Sequence, residues 1–252
     1  MSPRPAVEEH AQVESTQENA RARAKEGCAH GVVVVAVEQR AGHGRRGRAW
    51  SSGAHGLWMS MVLRVDLPWA RALRLSFCVC DTIATVLGEA GAVVSVKWPN
   101  DIMIPSTTTQ PRLGPFRKAG GMLIDCMEIE DQRLRTAILG IGLNLTTPAG
   151  GFPPEIAEIA GSLDDAGLLL PRLALAERLQ SKLMSVADVA ADDSAFAGVS
   201  ARLSACSATL GRQVRVDSLE GLAVGFDVDG ALRLRDAGGE LHTVHAGDVM
   251  LA

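Results

Sequence analysis

Residues 31 to 37 read Gly-Val-Val-Val-Val-Ala-Val, a run in which no position is polar. Such a strand has no face to offer to water, so a chain containing it must build a sheet that is covered on both sides. The run leads almost directly into Gly42 to Trp50, Gly-His-Gly-Arg-Arg-Gly-Arg-Ala-Trp. There the glycines let backbone N–H groups come close to a ligand, and the guanidinium forks match phosphate oxygens two bonds at a time. Taken alone, those nine residues fit a solvated basic loop better than a built anion site.

The surrounding pattern supplies the rest of a fold. Ser15 and Glu18 fit a capping box that opens a helix through residues 19–26 and stops near Gly27. Leu57 to Val65 reads as a second strand, Trp69 to Ala90 as a helix stopped by Gly91, and Val93 to Trp98 as a third strand halted by Pro99. Residues 102 to 117, with Pro105, Pro111, Pro115 and three successive threonines, read as a long surface loop open to disorder. Strands Gly121 to Ile129 and Arg133 to Leu145 suit a hairpin around Glu130-Asp131-Gln132. Helices near 171–188 and 194–206 follow a Gly/Pro-rich connection, and glycine-punctuated short strands from Gly211 predict a small β-barrel. The expected class is α+β, a mixed sheet with helices over residues 1–207 and the barrel over residues 208–252.

Composition sets limits on function. With 47% apolar and 21% charged residues the chain is globular, and a formal net charge of −4 argues against a general nucleic-acid partner, so any polyanion site must be local. Five cysteines without Cys-x-x-Cys or Cys/His spacing read as reduced, buried packing residues rather than a disulfide framework or zinc site. The first thirty residues lack the apolar core of a signal peptide, and no window has the roughly eighteen apolar residues of a membrane span. A cytoplasmic protein without a membrane partner is expected, as a monomer or a homodimer.

Three more clusters stand at strand ends: Lys97-Trp98-Pro99-Asn100-Asp101, Lys118-Ala119-Gly120-Gly121 and Gly140-Ile141-Gly142-Leu143-Asn144. In this order after the arginine loop, and with Leu210 to Val214 and Gly221 to Asp227 downstream, they resemble the biotin protein ligases over nearly the whole chain. The resemblance implies a catalytic unit of the class II aminoacyl-tRNA-synthetase kind followed by the small barrel. It also implies a two-step reaction, in which biotin and MgATP give biotinyl-5′-adenylate and pyrophosphate. The biotinyl group then passes to one lysine of a biotin carboxyl carrier protein or domain of a biotin-dependent carboxylase. Because only about fourteen residues precede Ser15, the type expected is monofunctional, without a DNA-binding domain.

The resemblance also carries roles to individual positions. Arg45 and Arg48 match the arginines that meet the phosphates, Trp50 is expected to pack near the nucleotide, and Arg46 is expected to face solvent. Lys118 matches the lysine set between the biotin carboxylate and the α-phosphate, where one flexible ammonium can follow the moving charge. Asn100 and Asp101 are expected at the triphosphate, Asp101 as a Mg²⁺ ligand and as proton acceptor for the incoming lysine, although Pro-Asn-Asp is also good turn sequence. Ser15, Thr16 and Gln39 match positions that read the polar end of biotin, with Gly42 and His43 beside them. Gly121, Gly140 and Leu143 match those lining its slot, and Asn144 is expected near the ribose or phosphates.

Three departures stand out. His43 replaces a usual arginine, which makes the charge there pH-dependent. Gln17 stands where asparagine is common, and Val37 with Glu38 displaces a frequent glutamate. Two other readings compete. A lipoate or octanoate protein ligase shares the fold but lacks these motifs in combination, and a non-catalytic polyanion-binding module would use only the arginine loop.

Overall fold

The computed structural model describes residues 5–106 and 113–251. The valine run becomes strand β2 (Val33–Gln39), and Val33 to Ala36 have no exposed surface. Its sheet is completed by β1 (Val7–Val13), β3 (Gly56–Pro68), β4 (Ser95–Lys97), β5 (Asp101–Pro105), β6 (Phe116–Glu130) and β7 (Arg133–Asn144). These seven strands lie in the order β1-β2-β3-β7-β6-β5-β4, with β1 parallel to β2 and every other pair antiparallel.

The two-residue pleat sorts side chains to two faces. Val33, Val35, Met59, Met61, Leu63 and Leu139 enter the main core, which is shared with α2 (Ala72–Glu89), α3 (Arg172–Leu183), α4 (Val186–Ala191) and α5 (Asp193–Ala205). Their alternates Val34, Val62 and Ile138 meet Ala20 and Ala24 of α1 (Thr16–Lys25) on the opposite face. Each fully buried Val or Leu of this kind contributes about 1.5–3 kcal/mol. Helix α1 lies over β2, β3 and β7 on this face. Beyond its first turn, over β3, β7, β6 and β5, that face holds the site.

Ser15 caps α1 from an extended backbone, its Oγ accepting from Gln17 N at 3.2 Å. The reciprocal half of the expected capping box is replaced, since Glu18 pairs with Arg21 one turn on, at 3.6 Å. The hairpin between β6 and β7 turns through Asp131 and Gln132, both at positive φ (49° and 57°), the two-residue geometry whose twist suits antiparallel strands.

Two expectations about elements change. Strand β1 had no sequence signal, because Val-Glu-Glu-His-Ala-Gln-Val is an edge strand whose polar residues face water. The loop expected over 102–117 is shorter at both ends. Ile102, Met103 and Ile104 are fully buried in β5, and Phe116 opens β6, so the Pro/Thr composition marked only the middle. The disorder expected there falls on 107–112, which lie outside the described residues.

The C-terminal residues form a second, five-stranded antiparallel sheet from β8 (Gln213–Val216), β9 (Leu219–Phe226), β10 (Leu232–Arg235), β11 (Leu241–Val244) and β12 (Val249–Leu251). It packs into the main core through Val214, Val216, Ala223, Leu232 and Leu234. Among the bonds that fasten it, Trp98 Nε1 donates to Gly230 O at 3.0 Å and Arg74 Nε to Asp229 Oδ1 at 2.8 Å. All five cysteines are free, but against the expected burial only Cys78 and Cys80 are buried, Cys28 and Cys206 are half-buried and Cys126 is exposed. Burial pushes the Cys78 thiol up to about 12, so it remains protonated and inert. Among the described residues, no helix is long and apolar enough to cross a membrane.

Candidate active site

The arginine segment folds back on itself as it leaves β2. Gly44 N donates to Arg48 O at 2.8 Å, Trp50 N to Gly42 O at 2.9 Å, and His43 bridges Ala49. Gly42 makes this closure possible, because a Cβ there would run into Ser52 Oγ and lie 2.9 Å from Trp50 O. Its part is therefore in the backbone, and it does not line the pocket that the loop overhangs.

That pocket encloses about 570 Å³ on the α1 side of the large sheet, within the usual range for a small-molecule site. Its floor follows from register. Ser60 lies opposite Gly140, Trp58 opposite Gly142, Gly142 opposite Gly121, and Gly121 opposite Asp101. Three glycines on neighbouring strands leave a trough where side chains would otherwise stand. Leu143 does not line this trough. The alternation along β7 sends it to the opposite face, where it is fully buried against Gly120.

At one end of the trough the charged groups converge. Asp101, opening β5, takes Lys118 Nζ on Oδ1 at 2.6 Å and Lys97 Nζ on Oδ2 at 2.9 Å. Burial alone would push the carboxyl up, but the two ammonium groups, Lys118 foremost, outweigh it and hold Asp101 down at about 2. Asp101 does not fit as a direct Mg²⁺ ligand, since both of its oxygens are already taken by cations. Asn100 Oδ1 accepts from Arg45 Nη1 at 3.1 Å and its Nδ2 donates to Met122 O at 2.9 Å, which leaves no oxygen directed at a metal.

Arg45 is half-buried among like charges. Burial lowers its pKa from the usual arginine value, Asp101 opposes this, and Arg46 and Arg48 lower it further. An added anion would relieve that strain, as a phosphate at a cationic site does. Trp50 lies under Lys118, whose Nζ is 4.9 Å from the ring centroid, and its buried Nε1 has no protein partner. Asn144 lines the same end while its Nδ2 donates to Gly161 O at 2.8 Å.

The other end is neutral and polar. Gln39 Oε1 accepts from Thr16 N at 2.8 Å and from Thr16 Oγ1 at 3.0 Å, and Gln39 Nε2 donates to Ser52 Oγ at 2.9 Å. Ser15, Thr16 and Gln39 line the pocket together with Gly121, Gly140 and His43. Of the positions named from sequence, only Gly42 and Leu143 fall outside it.

Several lining residues had not been named. Lys97 stood within a motif, and its charge beside Trp98 was a usable signal. Ser60 and Trp58 lie on a strand read only for its apolar pattern, and Phe152, Ile156 and Ile159 come from the Gly/Pro-rich connection. Asp217 and Asp248 belong to the C-terminal sheet and had no local signal at all. Arg46, expected in solvent, is exposed yet pairs with Asp217 at 3.4 Å and Asp248 at 3.2 Å, and Arg48 pairs with Asp248. The second sheet thus forms one wall of the pocket and holds two of the three loop arginines.

Known proteins match this architecture. The model of the biotin/lipoate A/B protein ligase family matches residues 10–144, and that of the biotin protein ligase C terminal domain matches residues 209–251. The biotin--[acetyl-CoA-carboxylase] ligase of Mycobacterium tuberculosis is 33% identical over 253 residues, covering 95% of this chain and 86% of that protein. The bifunctional ligase/repressor BirA of Bacillus subtilis is 35% identical over 159 residues, 62% of this chain; the match spans less than half of that relative, 46%. In fold, the chain superposes on the biotin protein ligase of Aquifex aeolicus in complex with biotin and ATP with a TM-score of 0.76 at 22% identity, covering 98% of each chain. The first family model spans more than half of the chain and takes in the arginine loop, Asp101, Lys118 and the glycine trough; the chain belongs to the biotin/lipoate A/B protein ligase family.

Proposed function

We propose that the chain is an ATP-dependent ligase that activates biotin as biotinyl-5′-AMP and transfers it to a lysine of a biotin carboxyl carrier protein or domain. The observation that carries this reading is the polarity of one continuous trough, with Lys118, Lys97 and Arg45 at one end and the neutral Thr16 and Gln39 at the other. An acid bound with its polar ring at Thr16 and Gln39 places its carboxylate toward Lys118. The names of the Mycobacterium relative and the Aquifex complex agree with this substrate pair.

In the first step the biotin carboxylate attacks the α-phosphorus of MgATP and pyrophosphate leaves. The nucleophile is ionised at neutral pH, so no base is needed. The chain's task is to bring two anions together, and positioning with charge neutralisation supplies the rate. Lys118 bridges the reacting groups, Arg45 and Arg48 hold the triphosphate, Asn100 orients Arg45 through its Oδ1, and Asn144 and Trp50 hold the nucleoside. Ser15, Thr16 and Gln39 read the ring, Gly121 and Gly140 form the slot, and His43 stands at its rim.

In the second step the acceptor amine attacks the acyl carbon of the mixed anhydride and AMP leaves with the bonding electron pair. A carboxylate held at about 2 is a weak acceptor for the amine's proton. Asp101 acts first by anchoring Lys118 and Lys97, and becomes a useful base only when the acceptor amine displaces one of them.

We assign the catalytic unit to residues 1–207 and a small supporting unit to residues 208–252, with a cytoplasmic location. A monomer or a homodimer is expected. Nucleic acid is not a partner in this reading, because Arg46 and Arg48 already face carboxylates of the same chain. Incubation with biotin, MgATP and a carrier domain tests it. Biotin on the carrier lysine, absent with Lys118→Ala, is expected; modification by lipoate or octanoate but not biotin would overturn it.

A further inference from the structure

Gln17 replaces a common asparagine, and its side chain reaches a group that no motif includes. It is buried, and its amide is fully committed: Nε2 donates to Asp125 Oδ2 at 3.1 Å and to Ile138 O at 3.0 Å, while Oε1 accepts from Ser60 Oγ at 2.9 Å. Arg21 Nη2 holds Asp125 from the outer side at 2.8 Å. The amide passes beneath Gly140, where a Cβ would lie 2.6 Å from Gln17 Oε1. Ser60 Oγ in turn lies 2.9 Å from Thr16 Oγ1.

A carboxylate can only accept hydrogen bonds. Asp125 and the Ile138 carbonyl together decide which end of the Gln17 amide faces them, because the flipped amide would set its oxygen against both acceptors. With Gln17 Oε1 turned to Ser60, the single hydroxyl proton of Ser60 is committed to it. Thr16 directs its proton along the same network, to Ser60 or to Gln39 Oε1. Both hydroxyls then meet a ligand through oxygen lone pairs. The polar end of the trough is thus wired to receive N–H groups.

We propose that Asp125, acting through Gln17, is a positioning residue that fixes the hydrogen-bond polarity of the pocket's polar end and thereby selects acids bearing ring N–H donors over plain alkyl acids. This rests on the biotin-ligase reading above. A site built to pair with an N–H group discriminates strongly against a ligand that lacks it, since its acceptors are left unpaired. Asp125 itself does not line the pocket, so its effect must pass through the amide.

The test compares kcat/KM for biotin and octanoate in ATP-pyrophosphate exchange. Asp125→Asn keeps the shape but can donate, so a flipped Gln17 amide gains a partner there and only Ile138 O still opposes the turn. The biotin-over-octanoate ratio is expected to fall at least about ten-fold, through KM for biotin, with KM for ATP held within about two-fold. Gln17→Met, which removes the amide at equal length, is expected to lower the ratio likewise, and it carries the test should Asp125→Asn fail to fold. Arg21→Ala leaves Asp125 as an acceptor and is expected to keep the ratio even where thermal stability drops. An unchanged ratio in folded Asp125→Asn or Gln17→Met, or a proportional loss for both acids, overturns the proposal. Wild-type protein that does not use biotin overturns the underlying reading instead.

Discussion

Lys118 Nζ stands 2.6 Å from Asp101 Oδ1, on a carboxylate whose other oxygen is held by Lys97 at 2.9 Å. One buried anion thus places two cations at the end of the trough where charge must be neutralised. Replacing Asp101 by Asn keeps the shape and removes the charge, leaving both ammonium groups unpaired. Breaking a buried pair in this way costs about 3–5 kcal/mol. Adenylate synthesis and transfer from preformed adenylate are expected to fall together, because both depend on where Lys118 sits. Single-turnover assays of each half-reaction check this, and a loss confined to transfer would show that Asp101 serves mainly as the proton acceptor.

The same carboxylate makes stability depend on acid. Its pKa falls from 3.8 in the unfolded chain to about 2 in the fold. Its contribution is complete above the unfolded value and is lost as pH falls through the folded one. A shift of that size is worth about 2 kcal/mol. Denaturant titrations between pH 5 and 2 are expected to show a shallower acid limb in Asp101→Asn than in wild type, and parallel limbs would contradict the linkage.

Trp50 rests on a glycine. A Cβ at Gly142 would lie 3.0 Å from Trp50 Nε1 and 3.1 Å from its Cε2. Gly142→Ala is expected to fold but to displace the indole from Lys118, raising KM for ATP several-fold while KM for biotin holds. Equal changes in both constants would mean that the indole has no nucleotide-specific part.

Asp248 holds Arg48 and lies 3.2 Å from Arg46, all at the surface. Exposed pairs of this kind contribute about 0.2–1 kcal/mol each. Asp248→Ala is expected to speed release of the adenylate by about two- to five-fold and to blunt the dependence of that rate on salt. An unchanged release rate would show that the pairs do not hold the loop shut.

What could be read from the chain alone was whatever chemistry is local. The valine run announced its own burial, and Gly42 to Trp50 and the lysine clusters carry glycine and charge at adjacent positions, so their strand-end placement was legible. Strand β1 was not, since an edge strand held mainly by backbone bonds leaves a weak side-chain pattern. Leu143 was misplaced because a motif position does not state its parity, and one step along β7 separates the trough from the core. Asp217 and Asp248 act through residues 171 and 200 positions away, and no window of sequence contains both partners.

The wall supplied by Asp248, Val249 and Met250 is also the last part of the pocket to be synthesised. Ser15, at the far end of the pocket, emerges from the ribosome early, whereas this wall follows only after residue 250 has been added. A nascent chain that has already folded its large sheet still lacks this wall of the pocket.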